Sequence, residues 1–356
     1  MRARVITKLS TQIIWFSMRM LSKQFEYKRL FSPSNYCCTD KQRSVFREIN
    51  ENTGSMNLQE AATRLSEIVS NGYLELIQEV RVCFEANPFK TEAITYYHAS
   101  WEQDKTWAEV YCLNFDDIVS YIKLLRLPAK PCKATSTVLL SPWFLGNIFH
   151  EFAHSLEIDH APHSLRRIGQ KVFGDINQPF SIFENPGMET FGKHSFSDAG
   201  TLQQKRCLVK NGTLLSCVGD YQTGENLYMG LADGRPLLPR TVCLEIVSEP
   251  TETCPKEGMI VLGGVITTVL MRPSDTLLLI KEIDFGYYIG CSIISYSRMM
   301  VNRVIRLNEI LKRISFVSEC NIKLPEVGGF CKKDGAVIRS IQRVDYAMMS
   351  NAKMLF

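Results

Sequence analysis

A short histidine-containing segment constrains this 356-residue chain more than any other feature. Residues 150–154 read His-Glu-Phe-Ala-His, an H-E-x-x-H sequence inside an apolar run that begins at Ser141. Histidines four residues apart lie on one face of an α-helix, where both imidazoles can reach one zinc ion. Glu151, next to the first histidine, can then deprotonate a water molecule as a general base. The segment therefore predicts a helix that carries His150 and His154 as metal ligands and Glu151 as the base.

The sequence around the two histidines supports a buried helix. Ser141 is a favourable N-cap, and Pro142 suits the first helical turn, where its missing N–H removes no hydrogen bond. Apolar residues then recur at near-helical spacing, at Phe144, Ile148, Phe152 and Leu156. Upstream, residues 135–140 are threonine, serine, valine and leucine, which predicts a short β-strand. We therefore expect a strand, a tight turn and a buried helix in succession.

A catalytic zinc ion normally has three protein ligands, so a third residue must complete the set. His160 lies six residues after His154, which is the spacing of metzincin proteases, but Glu157 stands where those proteases have glycine. Glu157 itself shares the helix face of His150, at a separation too short for comfortable tetrahedral geometry. Cys331 is a further candidate. The residues alone leave these alternatives open.

Four blocks of this sequence resemble the metal-binding domain of the TldD/PmbA family of metallopeptidases. The first block reads LPAKPCKATSTVLLSPWFLGNIFHEFAHSLEID, and the others read FSDAGT, QKRCLVKNGTL and GGFCKKDG. They stand in the family's order at 127–159, 196–201, 204–214 and 328–335. The resemblance extends over residues 127–345. Several blocks in one order are more specific than the five-residue motif alone.

This resemblance implies a site, an activity and an assembly. It places the zinc ligands on His150, His154 and Cys331, and the general base on Glu151. It implies a zinc-dependent metallopeptidase that hydrolyses peptide bonds in small or unfolded polypeptides. It also implies a homodimer, or a heterodimer with a related subunit.

The chain departs from the family pattern at positions that bear on activity. The family usually has three residues between the glutamate and the second histidine, whereas this chain has two. Ala199 stands where the family has a glutamate, so the acidic cluster keeps only Asp198. The alternative prediction is therefore a catalytically weakened or inactive member that acts as a dimer partner or a peptide-binding subunit.

Composition narrows the class of protein and its compartment. The 41 basic and 37 acidic residues give a net charge of +4, which does not favour nucleic acid as a partner. The twelve cysteines have no regular spacing and no Cys-x-x-Cys pair, so they do not indicate a disulfide framework. We expect a reducing cytoplasm, in which Cys331 stays a free thiol. The apolar runs are shorter than a transmembrane helix, so no membrane partner is expected.

The sequence predicts an α+β fold in three parts. Residues 1–55 read as a basic leader or linker, with a composition compatible with disorder. Residues 56–126 predict an abbreviated N-terminal part of mixed α and β structure. Residues 127–356 predict a β-rich metallopeptidase domain that contains the buried metal-binding helix.

Local patterns predict individual elements within these parts. An amphipathic helix is expected over 57–85, interrupted at 71–72, and strands followed by a helix at 115–125 are expected within 91–126. Residues 296–313 predict a helix with a basic solvated face. Short strands bounded by turn residues are expected at 206–209, 258–265 and 276–280.

Overall fold

The computed structural model describes most of the chain. The described residues are 4–19, 24–30, 58–69, 71–83, 90–103, 106–131, 136–159, 168–198, 201–220, 226–228, 238–333 and 336–356.

Helices are few and short in these ranges. They are α1 (Leu58–Ile68), α2 (Phe115–Leu125), α3 (Pro142–Ala153) and α4 (Leu307–Leu311), with 3₁₀ turns at His154–Leu156 and Ala352–Met354. None of the helices in the described ranges has the length and apolar character needed to cross a lipid bilayer.

Strands make up most of the regular structure. They are β1 (Arg4–Arg19), β2 (Gln24–Leu30), β3 (Asn71–Cys83), β4 (Lys90–Gln103), β5 (Thr106–Cys112), β6 (Thr137–Leu140), β7 (Phe180–Glu184), β8 (Arg206–Lys210), β9 (Thr213–Leu214), β10 (Leu227–Tyr228), β11 (Leu238–Pro239), β12 (Cys243–Ser248), β13 (Glu252–Thr253), β14 (Glu257–Leu270), β15 (Leu277–Ile289), β16 (Ser292–Arg306), β17 (Ile314–Ser318), β18 (Gly329–Lys333), β19 (Ala336–Arg343) and β20 (Ala347–Ser350). A few helices beside several sheets make this an α+β protein, as predicted.

The N-terminal part is a five-stranded sheet in the order β2-β1-β3-β4-β5. The helices α1 and α2 pack on one face of it, because alternate strand residues such as Leu74, Leu76 and Ala99 point toward them and are buried. The opposite face carries other side chains, among them Glu75 and His98. One face is therefore covered by helices, and the other meets the C-terminal part.

The helix predicted over 57–85 is wrong in its second half. Its first half is α1, which ends at Ile68, and residues Asn71–Cys83 form β3. Two observations explain the change. Asn71 and Gly72 disfavour a continuing helix, and the residues after them alternate between the two faces with period two. The helix predicted at 115–125 is confirmed as α2.

Residues 4–19 and 24–30, which the sequence analysis assigned to the leader, form β1 and β2. β1 runs parallel to β3 over a long register, from Arg4 opposite Asn71 to Phe16 opposite Cys83. Val, Ile and Thr are frequent in β1, and these residues suit extended backbone. The boundaries proposed for the three parts stay a prediction.

The C-terminal part contains two larger sheets with α3 between them. One has seven strands in the order β13-β17-β20-β6-β14-β15-β16, and the other has six in the order β18-β19-β12-β7-β8-β9. α3 contacts β14 in the first sheet, and β12 and β19 in the second. Its side chains Phe144, Ile148, Phe149 and Phe152 are completely buried in the main core. The apolar stripe read from the sequence therefore fixes this helix in the centre of the domain.

The helix predicted over 296–313 is wrong for most of its length. Residues Ser292–Arg306 form β16, which pairs with β15, and only Leu307–Leu311 are helical. The residues of this segment that pack on the main core are Met299, Val301, Ile305, Leu307 and Leu311. Asn302 has a φ of 51° and lies at a register shift between β15 and β16, which marks a β-bulge. The apolar residues of a strand with such a bulge can have a spacing in the sequence that resembles that of a helix.

The N-cap of α3 provides a test of how this helix is held. The Ser141 hydroxyl accepts a hydrogen bond from Phe144 N at 3.2 Å and donates one to the carbonyl of Leu262 at 2.5 Å. Ser141→Ala removes both bonds at a buried position, so we expect the free energy of unfolding to fall by about 1–3 kcal/mol. Chemical denaturation measures this loss. Ser292→Ala, at an exposed strand end, is the control, and an equal effect of both substitutions would contradict the prediction.

Candidate metal centre

The end of α3 brings the two histidines of the motif together. His150 lies in the last turn of the helix, and His154 follows its final residue and begins a 3₁₀ turn. The ring centroids are 4.8 Å apart and the ring planes are inclined by 80°. His154 is buried and His150 is partly exposed. The two imidazoles therefore face one volume, as the four-residue spacing predicts.

The strand β18 brings Cys331 to the same volume from the other sheet. Its Sγ lies 3.3 Å from His154 Nε2, although the two residues are 177 positions apart in the chain. The carbonyl of Cys331 accepts a hydrogen bond of 2.7 Å from Nη2 of the completely buried Arg240. Just before the strand, Gly328 N donates to the Tyr111 carbonyl at 2.7 Å. These contacts hold the strand and its thiol against α3.

The three residues form a donor set that could hold a metal ion. One ligand atom from each of His150, His154 and Cys331 lies within 4.8 Å of the others. A tetrahedral zinc ion separates nitrogen and sulfur ligands by roughly 3.3–3.6 Å, given bond lengths of about 2.05 and 2.3 Å. The pair His154–Cys331 already has this separation, and side-chain rotation closes the remaining difference. The donor set therefore fits a small, soft or borderline cation.

The charges of the cluster favour the thiolate form of Cys331. Burial by itself raises the pKa of this thiol, but the neighbouring His150 and His154 outweigh burial and hold the pKa below its usual value. Burial lowers the pKa of His154, whereas Glu157 and Cys331 together raise it. A thiolate is the form of cysteine that binds metals, so the site favours the reactive state before any ion enters.

Polar partners behind the ring nitrogens orient both histidines. His154 Nδ1 lies 3.0 Å from Oε1 of Glu157, and that oxygen also accepts from Thr241 N at 3.2 Å. Nε2 of the Gln342 side chain lies 3.0 Å from His150 Nδ1, where its N–H can donate to the ring nitrogen. The carboxylate oxygen at Nδ1 of His154 keeps the proton there and leaves Nε2 of that ring free for a metal. Glu157 is thus placed as an orienting group, and not as the third ligand considered from sequence.

Sequence reasoning missed these orienting roles for different reasons. Glu157 follows His154 by three residues, and this short spacing is visible in the sequence. The sequence does not show that the Glu157 carboxylate contacts Nδ1 of the His154 ring. Gln342 lies on β19, eleven residues after Cys331, and no local pattern connects it to His150. His160 lies outside the described residues.

Glu151 occupies a different position from the three candidate ligands. Its Oε2 accepts hydrogen bonds from the N–H and the hydroxyl of Thr268 on β14, at 2.8 and 2.7 Å. The Thr268 hydroxyl also lies 3.1 Å from the Glu151 carbonyl. These bonds use Oε2 and the backbone, so Oε1 is not committed to Thr268. The carboxylate is partly exposed at the edge of the site.

A second buried carboxylate lies behind Glu157. Glu184 is completely buried, and its Oε1 accepts from Val242 N and Cys243 N at 2.9 and 3.0 Å. Burial raises its pKa to about 8, although the two backbone bonds oppose this effect, and Glu157 adds to it. Glu184 therefore holds its proton at neutral pH, which avoids a second full negative charge beside Glu157.

Comparison with known proteins now identifies the family. Residues 133–303 match the family model described as the PmbA/TldA metallopeptidase C-terminal domain. The match includes His150, Glu151 and His154 and ends before Cys331. Residues 133–303 belong to the C-terminal domain of the TldD/PmbA family. The resemblance read from the sequence blocks is thereby confirmed. No curated protein matches the sequence of this chain significantly.

Solved structures provide distant relatives of this TldD/PmbA protein. TldE from Thermococcus kodakarensis matches with a TM-score of 0.48 and 12% sequence identity. The match covers 74% of this chain and 63% of TldE. Candidate DNA gyrase modulators from Bacteroides thetaiotaomicron and Thermotoga maritima have TM-scores of 0.41 and 0.40, at 10% and 12% identity. Each match covers 74% of this chain and, respectively, 60% and 62% of the other. The chain thus spans less than two thirds of their length, and likenesses this distant carry no functional inference.

Adjacent glycines before Cys331 allow a matched test of how β18 is seated. A Cβ at Gly328 would overlap the Phe191 ring, whereas a Cβ at Gly329 would meet no atom within 4 Å. We expect Gly328→Ala to lower the free energy of unfolding by about 1–3 kcal/mol and to displace the thiol. Gly329→Ala should change stability by less than about 0.5 kcal/mol. Denaturation curves for both variants make the comparison, and equal stabilities would refute this account of the glycine pair.

The raised pKa of Glu184 predicts a pH-dependent stability. The unfolded chain releases this proton near pH 4.5, whereas the folded protein keeps it until about pH 8. The folded state thus binds more protons across this window, so its contribution to stability falls as pH rises from 4.5 to 8. The total loss is on the order of 5 kcal/mol. Glu184→Gln should remove most of this slope in denaturation measured at several pH values.

A second glutamate in the same sheet is the control for this experiment. Burial raises the pKa of Glu245, but hydrogen bonds from Lys205 and Asn185 outweigh burial and lower it overall. Its contribution therefore changes below pH 4.5, and Glu245→Gln should leave the slope between 4.5 and 8 unchanged. An unaltered slope in Glu184→Gln would show that another group controls it.

Proposed function

We propose that this protein is a zinc-dependent metallopeptidase that hydrolyses peptide bonds in small or unfolded polypeptides. The observation that carries the proposal is the convergence of His150 and His154, at the end of α3, with Cys331 on β18. Two imidazoles and a thiolate suit zinc, and they leave a fourth position for water or substrate. The family's metallopeptidase domain supports the same reaction class.

The residues around the site have distinct roles in this proposal. A bound zinc ion would supply Lewis-acid chemistry, which makes water a better nucleophile and a carbonyl carbon a better electrophile. Glu151 accepts the proton of the attacking water on Oε1 and later delivers it to the leaving amine. Glu157 keeps the proton of His154 on Nδ1, and the side-chain amide of Gln342 fixes the orientation of the His150 ring. Arg240 fixes the backbone of Cys331, so the thiolate stays in place during the reaction.

A second function has a specific observation in its favour. The N–H of Thr268 donates to Glu151 Oε2, and its hydroxyl lies within hydrogen-bond distance of Oε2 and of the Glu151 carbonyl; these contacts anchor the helix to β14, which is a structural role. If Glu151 serves that role alone, the protein is a weakened or inactive member that binds peptides or completes the site of a partner. The shortened H-E-x-x-H spacing and Ala199 favour the same alternative.

Assembly and location are further parts of the proposal. We propose a homodimer, or a heterodimer with a related family subunit, working in the cytoplasm on peptide substrates. The thiolate ligand supports a reducing compartment, since an oxidised sulfur would not bind the metal.

Metal content and Glu151 provide the decisive experiment. Elemental analysis of freshly purified protein should find about one zinc ion per chain. Cys331→Ala and His154→Ala should lose it, whereas Cys291→Ser, at an exposed cysteine, should retain it. Protein that lacks bound metal under zinc-replete conditions would refute the enzyme proposal.

Glu151→Gln distinguishes the two functions. For a general base, cleavage of an unfolded polypeptide should fall by about 10²–10⁴-fold while zinc content stays the same. Thr268→Val is the companion variant, because it removes the hydroxyl bond to Oε2 and keeps both the backbone N–H bond and the carboxylate. Zinc binding without measurable cleavage in the wild type would favour the peptide-binding alternative.

A further inference from the structure

Two cysteines outside the candidate metal centre have their sulfur atoms in contact. Sγ of Cys254 lies 2.9 Å from Sγ of Cys320, and both side chains are half-buried. Neither residue contributes to the candidate metal site. A disulfide bond is about 2.05 Å long, so a small rotation of the two thiols would suffice for bonding.

The backbone explains why the two residues meet. β13 and β17 run parallel, with Glu252 opposite Val317 and Thr253 opposite Ser318. Cys254 follows the last pair directly. On the other strand, Glu319 has a φ of 54°, and this left-handed residue turns the chain before Cys320. Such a conformation is costly for a glutamate, so it persists because the surrounding structure requires it.

Packing on both sides restrains the pair further. The two cysteines lie against a hydrophobic cluster that includes the buried Tyr288 and Tyr346. The Tyr346 hydroxyl donates a hydrogen bond of 2.8 Å to the carbonyl of Ile322, which anchors the segment after Cys320. Pro255 limits the backbone after Cys254. The sulfur contact is thus a consequence of anchored backbone on both sides.

We propose that Cys254 and Cys320 are a site of reversible disulfide formation. With a peroxide, one thiol is oxidised to a sulfenic acid with release of water or an alcohol. The second thiol then attacks that sulfur, the S–S bond forms, and water leaves. With a small disulfide, two exchange steps give the protein disulfide and two reduced thiols. A dithiol reductant reverses either reaction.

The bond would act on the part of the domain beside the metal centre. It would close a loop that contains β14, β15, β16, α4 and β17, and so restrain the unfolded chain. It would also fix the start of the segment that leads from β17 to Cys331. The disulfide would therefore stabilise the domain without using any of the three candidate ligands.

Peptide mapping tests the proposal directly. The full chain is treated with hydrogen peroxide or oxidised glutathione, free thiols are blocked with iodoacetamide, and the protein is digested without reductant. Trypsin and a glutamate-specific protease release 253–256 and 320–323, which separates Cys254 from the nearby Cys243. We expect these two peptides to be joined, with a mass two hydrogens below their sum. The melting temperature should rise by roughly 5 °C and return after reduction.

Variants and alternative outcomes make the test decisive. Cys254→Ser and Cys320→Ser should lose the product and the thermal shift, whereas Cys291→Ser should keep both. Alkylation of both cysteines after oxidation would overturn the proposal, as would a bond from either one to Cys243 or Cys331. The mapping uses wild-type protein, so it decides the matter even if a variant does not fold. A bond formed without a thermal shift would overturn the stabilising role.

Discussion

The contact between His154 Nε2 and Cys331 Sγ is the constraint on which the rest of this structure depends. It joins a helix packed on the seven-stranded sheet to a strand at the edge of the six-stranded sheet. Each element needs a separate support to reach this point. The helix has its N-cap and a completely buried apolar stripe, and the strand has Arg240, β19 and the bridge to Tyr111. The position of the Cys331 thiol beside His154 therefore depends on packing across the whole C-terminal part.

Burying charge around this contact costs desolvation free energy, and successive neighbouring groups reduce that cost. A thiolate beside an imidazolium forms a compensated pair, and Glu157 extends it on the far side of the ring. A further carboxylate, Glu184, lies behind Glu157 and carries a proton because burial raises its pKa. Arg240 adds a positive charge near the thiol backbone. This alternation of charge resembles the outer partners of a metal ligand more than a core built for stability alone.

Particular residues explain how far sequence reasoning reached. The helix α3 and its cap were predictable, because Ser141, Pro142 and the apolar repeat all indicate the same local structure. The approach of Cys331 was inferred from the family resemblance, since no local pattern relates residues 177 positions apart. β3 and β16 were misread as helices, because period-two alternation interrupted by a turn or a bulge leaves apolar residues three or four positions apart. Gln342 and Arg240 were missed because their contacts exist only after β19 and the segment between β11 and β12 have placed them.

The helix geometry explains why Glu151 is the least determined part of the site. Each residue of an α-helix advances about 100°, so His150 and His154 are separated by about 40° around the axis. Glu151 lies about 60° beyond His154, on the flank of the pair and toward β14. With one more residue before the second histidine, the glutamate would fall between the two ligands. The shorter spacing therefore places the carboxylate where Thr268 can bind it, and the uncommitted Oε1 decides whether this helix positions a base or only an anchor.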